Sequence, residues 1–162
     1  MEAGSSEGVP SLDRLNAIEE IKVLKARYFR CMDTRDWQAM YDVFTADAVM
    51  DMREEMAALV EAGMNVTGDG LLIGRETIAR SMSAGVAGTK TVHHGHMPEI
   101  ELLSETEAVG IWAMEDLILF PPGSRKQRLQ GYGHYHETYV READDRWRIA
   151  KLRLTRLHCS LA

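Results

Sequence analysis

The segment TVHHGHMPEIEL, residues 91–102, holds three of the six histidines of the chain within four positions. Two chemistries suit such a cluster. On an extended strand His94 and His96 share one face and His93 takes the other, and a His-x-His pair can ligate zinc. A zinc site then needs a further ligand of the right geometry, and no Cys pair or HExxH pattern supplies one. The other chemistry is simpler. One imidazole titrates near neutral pH and works with a carboxylate that fixes its tautomer, as an acid/base pair.

Carboxylates and hydroxyls that could join it are scattered through the chain. In residues 107–120, strand alternation puts Ala108, Gly110, Trp112, Met114, Asp116, Ile118 and Phe120 on one face, with Asp116 the single charged member. A carboxylate facing a core must be paired, hydrogen-bonded or at a wet pocket, unless a bulge turns it outward. In the following segment Gln130, Tyr132, His134, His136 and Thr138 share a face, opposite Leu129, Gly131, Gly133, Tyr135 and Tyr139. That polar face either lines a pocket or meets water, and polar faces usually meet water. Asp33 reads as a helix-end cap or turn former, Tyr28 as a core aromatic with its hydroxyl at the edge. Arg156 reads as a surface charge on a strand.

The elements that must position these residues change character along the chain. Leu15, Ile18, Ile21, Leu24, Tyr28 and Met32 recur at helical spacing, with Glu19, Lys22, Lys25 and Arg30 filling the remaining surface. Thr34 or Asp36 caps a second short helix through Trp37, Met40 and Phe44. AVMDM reads as a short strand. REEMAALVEAG and GRETIARSMSAG have helical composition, with loop-like NVTGDG between them. EAVGIWAMEDLILF, LQGYGHYHETYV and RWRIAKLRLTRLH are strands separated by the turn chemistry of PPGSRK and EADD. Helices followed by an antiparallel meander make an α+β plan, a curved sheet wrapped around helices.

Composition narrows the function classes. The chain has 162 residues, enough for one core but not two. The net charge of −6 and the scattered basic residues argue against a nucleic-acid partner. No apolar run approaches the length needed to span a bilayer. Residues 1–11 read as a frayed, disordered leader without a signal-peptide core, ahead of a single domain over 12–162, and a cytoplasmic location is expected. The two cysteines, Cys31 and Cys159, match no metal spacing.

NAIEEIKVLKARYFRCMDTRDWQAM, VHHGHMPEIELLSETEAVGIWAMEDLILF and the closing RWRIAKLRLTR together resemble the SnoaL-like family of the nuclear-transport-factor-2-like superfamily. The resemblance runs from about Leu15 to Arg156. KxxYFRCMD, HxGHxPEI and WxxED are most similar to the bacterial bile-acid 7α-dehydratases, with scytalone dehydratase and hexachlorocyclohexane dehydrochlorinase more distant. It implies a cone-shaped α+β barrel and a cofactor-independent dehydratase. By that resemblance Tyr28, Asp33 and His93 are catalytic, with Asp116 and Arg156 completing the set. It also implies that Trp112, Met114 and Phe120 surround a hydrophobic ring substrate, with His134 in support. Met32 and Met52 stand where scytalone dehydratase has tyrosines, which argues against scytalone as the substrate.

The implied reaction is elimination of water from a steroid-like or other cyclic carbonyl compound, without metal or cofactor. An isomerase or cyclase using the same Asp–His pair is the alternative enzyme. A non-catalytic ligand-binding or assembly domain is the alternative from another class. An uncovered apolar sheet face suits a homodimer or homotrimer.

Overall fold

The structure is a computed structural model and describes residues 11–162. The expected leader, apart from Ser11, lies outside the described residues. Ser11 caps the first helix, α1 (Leu12–Thr34), its hydroxyl accepting from the Arg14 amide. The buried stripe of α1 is Ala17, Ile21, Leu24, Lys25, Tyr28, Phe29, Cys31 and Met32. It differs from the expected stripe at both ends of the polarity scale. Leu15 is 46% exposed, whereas Lys25 is fully buried. Arg35 stops the helix in the left-handed region at φ 62°, its amide donating to the carbonyls of Cys31 and Met32.

Asp36 caps the short α2 (Trp37–Met40) by accepting from the Ala39 amide at 3.0 Å. Phe44, expected at the end of that helix, instead opens β1 (Phe44–Asp51). Then follow α3 (Arg53–Glu61), β2 (Leu71–Ile73) and α4 (Arg75–Gly85). The sheet is completed by β3 (Lys90–Leu102), β4 (Glu107–Leu119), β5 (Arg128–Arg141) and β6 (Trp147–Leu161).

The strand order is β2-β1-β6-β5-β4-β3. The β3 to β6 meander is antiparallel, and β1 joins β6 in parallel, so the sheet is mixed. It is curved and remains open rather than closing into a barrel. Its inner face packs on α1. Trp112, Met114, Tyr135, Tyr139, Leu152 and Leu154 meet the helix stripe in one core. Fully burying each large apolar side chain is worth about 1.5–3 kcal/mol.

Two of the register shifts in the sheet lie closest to the polar residues of the inner face. The β3–β4 register shifts between Gly95 and Pro98. In β6 the pairing passes from Arg156 opposite Gly133 to His158 opposite Tyr132. Leu157 is left over and stands 74% exposed.

The deepest polar contact joins Lys25 to Glu137 of β5, both side chains at 0% exposure. The Lys25 ammonium also lies 3.5 Å from the Tyr135 ring centroid and 4.2 Å from that of Tyr28. The second oxygen of Glu137 accepts from the Tyr139 hydroxyl, which in turn accepts from Trp112 Nε1 at 2.7 Å. Burial pushes the Lys25 amine down to about 8, with Glu137 opposing the fall. We expect Lys25→Met to cost about 3–5 kcal/mol in urea unfolding, because it strands a buried carboxylate. The double variant Lys25→Met/Glu137→Gln should recover most of that loss. A double variant that loses the sum of the separate Lys25→Met and Glu137→Gln losses would show that the pair is not coupled.

Candidate functional site

Asp33 occupies the last turn of α1, where the helix runs against the start of β3. Its Oδ1 lies 2.7 Å from His93 Nδ1, and its Oδ2 accepts from the His93 amide at 2.9 Å. The Thr91 hydroxyl donates to Oδ1 at 2.9 Å and itself accepts from Arg35 Nη1 at 2.8 Å. Arg35 continues to the carbonyls of Met32, Val86 and Thr89, so the helix end is clamped to the strand.

With Nδ1 engaged by a carboxylate, the proton belongs on Nδ1 and the Nε2 lone pair is the open one. Phe29 stacks on the His93 ring at 6.3 Å with a 17° tilt. Gly95 makes this possible, since a Cβ there would stand 2.6 Å from Phe29 Cε2. Burial acts to raise the Asp33 carboxyl. The bonds from the His93 ring and amide, the His93 charge and the Thr91 bond outweigh it and hold the group below the ordinary carboxylate range.

His93 lies directly opposite Asp116 on β4, and Asp116 opposite Gly131 on β5. Opposed residues of an antiparallel pair share a face, with Cβ atoms about 4.5–5.5 Å apart. Asp116 therefore points inward, and it is 3% exposed. Its Oδ2 accepts from Arg156 Nη2 at 2.6 Å. Arg156 is shared: Nε and Nη2 also bind the Glu55 carboxylate of α3, and Nη1 points at Met114 Sδ at 3.4 Å.

Gly131 leaves room for this cluster. A Cβ there would overlap the Arg156 guanidinium and stand 2.6 Å from Asp116 Oδ1. Burial opposes the Arg156 charge, but Glu55 and Asp116 raise its pKa further and keep it cationic. Asp116 Oδ1 is buried without a hydrogen-bond partner.

Tyr28 completes the interior, 4% exposed and edge-on to Tyr135 at 5.8 Å. Burial, then the Glu137 charge, raises its pKa, so Tyr28 keeps its proton and remains a donor. Its phenol also feels the charges of Asp116 and Arg156.

Among the expected substrate-lining residues, Trp112 and Met114 are buried on the inner face, and Met52 is half-buried against the core. Phe120 is half-buried just past β4. His134 is corrected. It alternates with inward Gly133 and Tyr135, lies opposite Ala113 and Thr155, and has its ring beside His136 on the outer face. His94 and His96 are exposed. Among the described residues no group of three or more His, Cys, Asp or Glu is placed to hold a metal ion. Cys31 and Cys159 are both free thiols.

Glu55, Lys25, Thr91 and Arg35 were not singled out from sequence. Gly131 inside a strand did mark a close approach, that of the Arg156 guanidinium and Asp116, but it carried no sign of Glu55. A concavity of about 930 Å³ lies on the outer face of the sheet, among Val109, Ile111, His136 and Thr138. It includes none of Tyr28, Asp33, His93 or Asp116. The buried polar groups of the inner face, rather than this groove, carry the chemistry available to an acid/base reaction.

A family model for the SnoaL-like domain matches residues 13–153. A type 2 hexachlorocyclohexane dehydrochlorinase (LinA) is 20% identical, with a TM-score of 0.74 over 93% of this chain and 92% of its own. A protein of Novosphingobium aromaticivorans provisionally named scytalone dehydratase is 18% identical, with a TM-score of 0.73 over 91% and 89%. Another from the same organism, provisionally named an aromatic ring hydroxylase, is 20% identical with a TM-score of 0.71 over 96% and 95%. At these identities the likeness speaks for the fold.

The lowered Asp33 pKa has a defined sign. Its contribution to stability is complete above the unfolded carboxylate value and is lost as pH falls through the lower folded value. A carboxyl-carbon NMR titration should find Asp33 titrating below the ordinary aspartate value, and His93→Gln should move the midpoint upward. An unchanged midpoint would mean that the imidazole does not hold the carboxylate.

Proposed function

The chain belongs to the SnoaL-like family, and from that premise we propose that it is a cofactor-independent lyase, a dehydratase acting on a hydrophobic cyclic carbonyl compound. One observation carries the reading: a helix-end aspartate grips His93 by both ring and amide, on the sheet face that also holds Asp116 and against which Tyr28 of α1 packs. The elimination chemistry named for the dehydrochlorinase and for the scytalone dehydratase namesake supports it. The likeness of KxxYFRCMD and HxGHxPEI to bile-acid 7α-dehydratases supports a steroid-sized ring.

His93 Nε2 removes a proton next to the carbonyl or at its vinylogous position. Asp33 stabilises the imidazolium that results, as a charge-assisted partner at Nδ1. Tyr28 donates to the oxygen that gathers charge as the enolate forms. The C–O bond to the leaving hydroxyl then breaks, and the imidazolium returns its proton to that oxygen, releasing water. Asp116, held by Arg156, orients the departing hydroxyl. Trp112, Met114 and Phe120 exclude water around the ring. Val92, Ile111 and Tyr132 give the outer sheet face an apolar character suited to a homodimer or homotrimer.

The test is turnover across hydroxylated cyclic ketones of steroid and polyketide size, with loss of one water followed by mass spectrometry. His93→Ala and Asp33→Asn should each lower turnover by roughly 10²–10⁴-fold, and Tyr28→Phe by about 10²-fold. A product isomeric with its substrate would replace the dehydratase by an isomerase or cyclase. Unchanged turnover in both dyad variants would remove the mechanism altogether.

A further inference from the structure

Arg156 is the one buried cation near Asp116 among the described residues, and it is already spent. Its side chain is 4% exposed, and two carboxylates of 9% and 4% exposure, Glu55 and Asp116, share it. One positive and two negative charges leave the cluster with a net negative charge in a poorly solvated interior, where charges interact more strongly than in water. Nε and Nη2 are committed, and Nη1 faces a thioether. Against that, Asp116 Oδ1 is buried and unpartnered, an acceptor without a donor.

We propose that Glu55 is a specificity-determining residue. By cancelling Arg156 from α3, it makes the site select neutral rings that offer a hydroxyl to Asp116 Oδ1, and it rejects rings carrying a carboxylate at that end. The inference rests on the reading that the inner face binds the substrate ring. It adds a charge rule that the dyad chemistry does not require. A free Arg156 would do the reverse, recruiting acidic groups through a bidentate pair.

The experiment is fluorescence titration at neutral pH with two probes of one ring size, neutral 2-naphthalenemethanol and anionic 2-naphthoate. The wild-type chain should bind the alcohol about tenfold more tightly. Glu55→Gln should narrow or invert that ratio by about tenfold. Asp116→Asn removes the other negative charge and should act in the same direction, which keeps the test open if Glu55→Gln fails to fold. Tighter binding of 2-naphthoate by the wild type, or an unchanged ratio in a folded variant, overturns the role of Glu55 and leaves the dyad chemistry untouched. Binding of neither ring overturns the shared premise about the inner face. Neither probe is turned over, so loss of activity in the dyad variants has no bearing on the ratio.

Discussion

A lysine ammonium with no exposed surface fixes how the first helix sits. Lys25 stays charged inside the protein only because Glu137 meets it and three aromatic rings cover it. Such a pair adds little stability over a well-packed apolar replacement, but a mismatch is costly because it strands one buried charge. Only one rotation of α1 about its axis brings Lys25 onto Glu137. That rotation carries Tyr28 and Phe29 one turn further along the same face, and Asp33 another turn on, to the edge of β3. The aspartate therefore reaches His93 because a residue two turns earlier permits no other phase.

The interior divides its polar groups between two environments. Asp33 keeps a side-chain exposure of 25% and sits at the rim, where solvent can exchange with the dyad. Asp116, Arg156 and Glu55 lie deeper, where each charge needs a partner. The two groups meet only across the β3–β4 pairing, with His93 facing Asp116. In the proposed elimination the dyad at the wet edge is the group that would change its charge, and the cluster in the dry region is the one that would keep it.

Much of this was legible in the sequence, for identifiable reasons. Alternation along residues 107–120 put Asp116 inward, and the structure keeps it there. Helical spacing put Tyr28 in the core. The strand meander and the two C-terminal turns followed from local chemistry that needs no distant partner. Lys25 and Glu55 were not legible, because what makes their burial tolerable lies 112 and 101 residues away. No local pattern separates a lysine that will find a buried glutamate from one that faces water. His134 shows the opposite failure. Its place on the polar face of β5 already leaned towards water, and likeness to relatives argued it into the pocket.

The bulge at Leu157 reaches beyond the geometry of one strand. Facing in a sheet is a matter of odd and even counting, and the count starts again at that residue. Arg156 inherits its inward aim from Leu152 and Leu154, whereas Cys159 takes its place opposite Gly131 from a new count. Losing or gaining one residue between Leu152 and Arg156 would turn the guanidinium out of the interior. The same change beyond the bulge would leave Arg156 aimed inward and alter the pairing of residues 158–161 with β5 instead.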